Sequence, residues 1–268
     1  MKKKIGFIGC GNMASAMIKG IISSDIVESD DIIVSAKTKT TLEKIEKEFK
    51  IRTTLDNKQV AREADFLFLA VKPHLYKGIL EVIKEDIKEE TVVISIGAGI
   101  SLDFLKENLK EGAKFIKTMP NTPAFVGEGM SALSPGACLD QEEIQDVLDI
   151  FKSFGKAEII DESLMDAFTA ICGSSPAYIF VLIEAMADAG VKEGLARPLA
   201  YKMAAQAVLG SAKMVLETEE HPGKLKDNVC SPGGTTIEAV ISLERTGFRS
   251  SIMEAVEVCA EKSRQMKK

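Results

Sequence analysis

The segment Leu225–Ala239, LKDNVCSPGGTTIEA, gathers Pro232, Gly233, Gly234, Thr235 and Thr236 into a turn and then switches at once to helical composition. Thr235 and Glu238 stand at capping-box spacing, which predicts a helix N-terminus directly after the turn. Two adjacent glycines leave backbone N–H groups uncovered beside the positive end of the helix dipole. Such an arrangement holds a carboxylate without an arginine. The same residues also make an ordinary capped helix after a tight turn, the commoner case, and local physics leaves both readings open.

A second chemical signal lies near the N-terminus. Gly9, Gly11 and Ala14 form G-x-G-x-x-A between an apolar run and a helical pattern. Gly9 suits a tight turn, Gly11 the close approach of a pyrophosphate, and Ala14 close packing of helix on strand. Dinucleotide binding follows if a βαβ unit continues; a glycine turn chosen only for packing is the alternative. An NAD-binding chain places an acid about 20 residues beyond the glycines, where it holds the ribose 2′-hydroxyl. Here the second apolar run ends in Ser35-Ala36-Lys37-Thr38-Lys39, and Asp30 and Asp31 stand at its start, the wrong end. Ser35, Lys37 and Thr38 suit a 2′-phosphate, which favours NADPH. Lysine lacks the planar fork of arginine, so NADH stands as a weaker alternative, and the lysines also read as solvated charges.

The elements that must position these residues alternate along the first half. Candidate strands are Lys4–Gly9, Ile32–Ala36, Phe66–Ala70, Thr91–Ile96 and Lys114–Thr118, short and apolar as in parallel strands buried on both faces. Helical stretches fall at Asn12–Ser23, Thr41–Phe49, Leu75–Ile83 and Leu102–Leu109. The alternation predicts a doubly wound α/β sheet, with Met130–Leu133 and Ala157–Ile160 as edge strands around a helix Gln141–Ser153. Ala70-Val71-Lys72-Pro73 then falls at the carboxyl edge of the sheet, where such folds hold ligands; Lys72 alone reads equally as a loop lysine facing water. From Leu164 onward only helices are expected. Ala177–Val191 is apolar almost all round, yet at about 15 residues it is too short and too acidic to span a bilayer comfortably. Leu199–Leu216 follows, with alanines and Gly210 that permit close helix approach. So much apolar surface on a small helical lobe predicts an obligate homodimer. The expected division is residues 1–162 for the dinucleotide-binding half and 163–268 for the helical half.

Composition excludes several classes. A net charge of −6, with lysines spread among acids, argues against nucleic-acid binding. The five cysteines, Cys10, Cys138, Cys172, Cys230 and Cys259, are odd in number and scattered, and His74 and His221 are the only histidines, so no metal site is expected. Buried thiols in a reducing compartment are the expectation, with Cys230 beside the turn open to oxidants. Lys2-Lys3-Lys4 followed by IGFIGC mimics a signal peptide. The apolar run Ile5–Ile8 is too short for one, since an h-region needs about seven residues, and the chain is read as cytoplasmic.

The run His221–Ser250, HPGKLKDNVCSPGGTTIEAVISLERTGFRS, resembles the signature region of the pyrroline-5-carboxylate reductase family. GFIGCGNMASAM resembles that family's cofactor loop, FLAVKP and MPNTPA its strand-end loops, and CGSSPAYIF the GSGPAY motif that opens its second domain. The motifs lie in order from Lys4 to Ser250. The resemblance implies an N-terminal Rossmann-like domain followed by an all-helical, interlocked dimerisation domain, and NADPH-dependent reduction of a cyclic imine to L-proline. It implies that Gly9, Gly11, Asn12, Met13 and Ala14, the tip Ser35–Thr38, Asn57, Ala70–Pro73 and Gly97-Ala98 line the cofactor. Asn121-Thr122-Pro123 would border the nicotinamide. Ser231, Gly233, Gly234 and Thr235 would hold the substrate carboxylate, and Thr236 would hydrogen-bond the ring nitrogen; alternatively, the Thr236 hydroxyl satisfies its own helix backbone. Glu162 aligns with a family acid near the substrate, and reads equally as an acid complementing a helix dipole.

Two departures stand out. Family members often carry arginine where Lys37 stands. Ser175 replaces the second glycine of GSGPAY, and is expected to take the extended backbone that precedes proline. Two rival functions remain. A 3-hydroxyacid dehydrogenase of similar layout would need an interdomain lysine, for which Lys192, Lys202 and Lys213 are poor candidates. An NADPH-binding regulator without turnover would need no intact SPGGTT. A protonated cyclic imine is already electrophilic, so positioning rather than strong acid catalysis suits a chain with no catalytic cluster near its motifs.

Overall fold

The structure, a computed structural model, describes residues 3–266. Eight strands form one sheet: β1 (Ile5–Ile8), β2 (Ile32–Ser35), β3 (Arg52–Thr54), β4 (Phe66–Leu69), β5 (Val92–Ser95), β6 (Lys114–Met119), β7 (Gly129–Pro135) and β8 (Gly155–Ile159). Their order is β3-β2-β1-β4-β5-β6-β7-β8, parallel throughout except where β7 runs antiparallel to β6. The chain reverses its direction of travel between β1 and β4, which creates the crevice that doubly wound folds use for ligands.

Both faces of the sheet are covered, which is why its strands read as unbroken apolar runs. Helices α1 (Asn12–Ser23), α2 (Lys39–Phe49) and, later in the chain, α6 (Gln141–Lys152) pack with Ile5, Phe7, Phe66 and Phe68. Phe7 stacks on Phe68 at 4.6 Å between ring centroids, and Phe68 meets Phe151. On the other face α3 (Asn57–Glu63), α4 (Tyr76–Ile83) and α5 (Leu102–Asn108) pack with Ile8, Leu67 and Leu69. The sheet's edges differ from expectation. Met130–Leu133 belongs to β7, which is flanked on both sides, whereas β3, with its half-buried Arg-Thr-Thr, forms the unforeseen edge. A strand that short and polar carries no period for sequence reading to find.

Beyond the sheet lie α7 (Met165–Phe168), a π-turn Thr169–Gly173, and α8 (Ser175–Lys192), α9 (Arg197–Thr218), α10 (Pro222–Val229), α11 (Thr235–Arg245) and α12 (Phe248–Gln265). Compactness divides the chain into a sheet unit, which runs to Gly173 and resumes at Cys259, and a helical unit Ser174–Val258. The resumption has a visible tie: Ser263 Oγ donates to the buried Asp166 carboxylate at 2.8 Å. Ser175 heads α8 instead of standing extended, with Pro176 in the first helical turn, where a missing N–H costs nothing. The helical stretch Glu162–Lys192 has 31 residues, long and apolar enough to cross a membrane by length and composition, where the sequence suggested a shorter helix. Within the helical unit α8 packs on α9 through small residues: a Cβ at Gly190 would meet Leu195 and Ala200 at 3.2 and 3.4 Å. Gly210 faces open space instead.

Candidate active site

The carboxyl ends of β1, β2, β4 and β5 share one edge of the sheet. Gly9 has φ +93°, and a Cβ there would lie 2.6 Å from Val71 Cγ1 and 2.7 Å from the Ala70 carbonyl. Glycine is therefore required twice over, by conformation and by contact. Gly11 differs. It is the N-cap of α1 in extended conformation, and a Cβ there would meet nothing within 4 Å. The protein's own packing gives no reason for glycine at 11; clearance for a ligand does. No side chain caps α1 and no acid stands in its first turn, so its N–H groups and dipole face outward through Gly11 and Asn12. Ala14 is buried at the helix–strand contact, and Met13 packs half-buried against the core. A cavity of about 270 Å³ opens here, lined by Gly11 of the loop, by Asn12 and Ser15 of α1, and by Thr40, Thr41, Lys44 and Glu48 of α2. These features fit a dinucleotide pyrophosphate.

At the tip of β2 the structure sorts the expected residues. Ser35 is fully buried, and its hydroxyl donates to Asn57 Oδ1 at 2.7 Å. Its side chain is thus withdrawn from the group that can meet a phosphate, because β2's pleat turns it toward α3. Asn57, the first residue of α3, is the partner. Thr38 is the N-cap of α2, its Oγ1 accepting the Thr41 N–H at 3.3 Å. Ala36 is half-buried and Lys37 is exposed. Asp30 and Asp31 lie in a turn at the opposite end of β2. Lys44, near the pyrophosphate loop, was not anticipated; its signal was a lysine within two turns of the β2 tip.

The loops after β4 and β5 complete the edge. Ala70, Val71 and Pro73 are half-buried and Lys72 is exposed, while Gly97 is buried and Ala98 exposed. Beneath them lies Tyr76, also unforeseen, whose hydroxyl donates to the Leu69 carbonyl at 2.6 Å. At the end of β6, Asn121 is clamped from two sides. Its amide donates to the Cys172 carbonyl in the π-turn, and its Oδ1 accepts the Met130 N–H, both at 2.9 Å. Glu162 is engaged inside the sheet unit. One carboxylate oxygen accepts from Lys117 Nζ and from the Leu102 N–H, both at 2.9 Å, so the acid complements the N-terminus of α5 rather than that of its own turn. Lys117 is nearly inaccessible, a buried ammonium that needs this partner.

In the helical unit the turn before α11 is well defined. The Gly234 N–H donates to the Ser231 carbonyl at 3.0 Å, closing a turn with Pro232 and Gly233 at its centre. Gly233 has φ +67°, which a type II turn demands there. A Cβ at Gly234 would lie 2.3 Å from Ser231 Oγ. The helix begins at Thr235 with Gly234 as N-cap and no side-chain cap, so the expected capping box between Thr235 and Glu238 does not form. Thr235 sits one position too late to cap. The N–H groups of the first turn therefore face outward uncovered, with Thr236 half-buried beside them.

The comparisons with known proteins agree from end to end. A family model described as pyrroline-5-carboxylate reductase dimerisation matches residues 162–266, and one described as NADP oxidoreductase coenzyme F420-dependent matches residues 4–99. Pyrroline-5-carboxylate reductase of Escherichia coli (strain K12) is 49% identical over 268 residues, covering 100% of both chains. That of Methanosarcina acetivorans is 45% identical over 266 residues, 99% of this chain and 98% of its own. The crystal structure of Plasmodium falciparum pyrroline carboxylate reductase with NADP bound superposes with a TM-score of 0.90 at 35% identity, covering 100% of this chain and 99% of that one. With 49% identity along its whole length, the chain belongs to the pyrroline-5-carboxylate reductase family.

Proposed function

We propose that the chain reduces the C=N bond of 1-pyrroline-5-carboxylate with NADPH, giving L-proline, the last step of proline synthesis. The observation that carries this reading is the end-to-end likeness to reductases of that name, Gly11's outward clearance being its structural counterpart. When bound, NADPH supplies the hydride. Gly11, Asn12, Met13 and Ala14 hold the pyrophosphate at the start of α1, while Gly9 shapes the turn beneath it, its own N–H held by the Ser35 carbonyl at 2.9 Å. Lys37, with the backbone of Ala36 and Thr38, meets the ribose 2′-phosphate. Asn57 and the loops Ala70–Pro73 and Gly97-Ala98 border the rest of the cofactor. The turn Ser231–Gly234 and the outward N–H groups at the start of α11, with Gly233, Gly234 and Thr235 lining the site beside Ser231, hold the substrate carboxylate, the Gly234 N–H itself closing the turn, and the Thr236 hydroxyl bonds the ring nitrogen. Positioning of an already electrophilic carbon accounts for the absence of a dedicated acid in this list.

Domain limits of 1–162 and 163–268 and a cytoplasmic location belong to the same proposal. So does assembly as a homodimer, with higher homo-oligomers built from it. The dimerisation model over residues 162–266 and the exposed apolar face of α8 support the dimer.

Oxidation of NADPH by the purified chain is the test, with 1-pyrroline-5-carboxylate set against the six-membered homologue and a decarboxylated imine. The five-membered, carboxylated ring should turn over fastest, and no turnover with it would overturn the reading. NADPH should have a higher kcat/KM than NADH, and Lys37→Ala should lower the NADPH value more. Equal losses with both cofactors would remove Lys37 from the 2′-phosphate.

A further inference from the structure

We propose that Tyr76 is a positioning residue of the cofactor site: its phenol ties the carboxyl ends of β4 and β5 together and so sets the loops Ala70–Pro73 and Gly97-Ala98. The inference rests on the cofactor reading above. Tyr76 opens α4 and is 1% exposed. Its hydroxyl donates to the Leu69 carbonyl at 2.6 Å and accepts from Ser95 Oγ at 3.2 Å; Ser95 Oγ in turn accepts the Gly97 N–H at 3.4 Å. Every link runs in one direction, from the Gly97 amide through two hydroxyls to the Leu69 carbonyl, an arrangement in which each bond polarises the next. Both termini of this relay adjoin proposed cofactor contacts.

Leu69 directly precedes Ala70, whose N–H is held by the Ile8 carbonyl at 2.9 Å and whose own carbonyl would lie 2.7 Å from a Cβ at position 9. The phenol also dictates its neighbour. A Cβ at Gly97 would lie 2.7 Å from the Tyr76 hydroxyl oxygen, so only glycine lets the second loop pass over it. Burial pushes the phenol pKa up to about 12, so the hydroxyl stays a donor even at alkaline pH where a free phenol ionises. Phenylalanine at 76 would fill the same space and leave the Leu69 carbonyl and the Ser95 hydroxyl without this partner.

A merely structural tyrosine would show its loss in stability alone, and a matched control separates the two cases. Thr91, just before β5, is as buried as Tyr76 and donates to the Ala64 carbonyl at 2.8 Å at the opposite edge of the sheet. Tyr76→Phe and Thr91→Val each delete one buried hydroxyl bonded to a backbone carbonyl. Both should lower Tm modestly. Only Tyr76→Phe should raise the NADPH KM, and the NADPH Kd measured by fluorescence without substrate, by about five- to twenty-fold. Its kcat at saturating NADPH and its KM for the imine should stay within about twofold of the parent. Ser95→Ala, which breaks the relay one link away, should weaken NADPH in the same direction and by less. Gly11→Val reports on the cofactor reading itself. If it leaves NADPH affinity unchanged, that reading fails. If it weakens NADPH while Tyr76→Phe does not, or does so no more than Thr91→Val, the positioning role of Tyr76 is overturned and the cofactor site stands.

Discussion

The four residues of β1 are all buried, whereas the eighteen residues of α8 bury one, Ala187. Both segments are strongly apolar, so composition does not explain the difference. In β1 the pleat sends Ile5 and Phe7 to one covered face and Ile8 to the other, and helices of the same chain cover both. An α-helix that is apolar all round needs partners all round, and α8 packs chiefly on α9. Phe180 and Val181 remain 64% and 65% exposed. Across the helical unit the buried apolar side chains are alanines, Ala187, Ala200 and Ala204. The sheet unit carries a core of its own; the helical unit leaves its large apolar side chains exposed, and its match to a dimerisation family model gives them a use in self-association.

The largest test of that contrast is Phe68→Ala. Phe68 is stacked on Phe7 and set against Phe151, so truncation should cost about 3–5 kcal/mol, read by urea denaturation. The loss should not depend on protein concentration, and a strong dependence would mean that the sheet unit is not self-sufficient. Phe180→Asp should act the other way, leaving the sheet core intact and weakening self-association. We expect the dissociation constant by sedimentation to rise by about two orders of magnitude or more, a change of about 3 kcal/mol. Unchanged association would show that this face of α8 is not the one a partner covers.

Thr236→Val comes next, because the outward-facing first turn of α11 should matter more for turnover than for folding. Loss of a hydrogen bond to a charged group is worth about 1.5–3 kcal/mol, so kcat/KM should fall about ten- to two-hundred-fold with NADPH affinity unchanged. Thr235→Val is the companion. Since its hydroxyl caps nothing, it should cost less stability than the roughly 1 kcal/mol of a lost N-cap. Full activity in Thr236→Val together with inactivity in Thr235→Val would exchange their roles.

The smallest effect concerns pH. Tyr76 has a folded pKa of about 12, raised by burial above the usual phenol value. The folded state therefore keeps a proton that the unfolded chain releases, and the contribution of Tyr76 to stability is fully present below about pH 10 and lost as pH rises through 12. Tyr76→Phe should flatten that alkaline slope. An unchanged slope would assign it to other groups.

Much of the fold was legible before any coordinates. The expected helix Asn12–Ser23 has those limits in the structure, and the apolar runs predicted β1, β2, β4, β5 and β6 to within a residue or two at each end. The helix is long and periodic, and the strands are short apolar runs covered on both faces, so local pattern and tertiary packing demand the same residues. The legibility fails where a side chain's partner is distant. Ser35 looked available to a phosphate, yet its hydroxyl is spent on Asn57. Glu162 looked like a substrate acid or a cap for its own turn, and it meets Lys117 and α5. Nothing local in Tyr76 foretold its bridge between two strand ends.

By itself the sequence determined the backbone states: glycines where φ is positive at 9 and 233, the turn that feeds α11, an acid-free tip on β2, and strands apolar enough for a doubly covered sheet. Only the tertiary structure decided which hydroxyls and carboxylates are spent within the protein and which groups face outward, as Gly11 and the first turn of α11 do. The physical reason is range. Backbone conformation is set within a few residues by sterics and periodicity, whereas a side chain's hydrogen-bond partner is chosen by packing across the sheet, 22 residues away for Ser35 and 45 for Glu162.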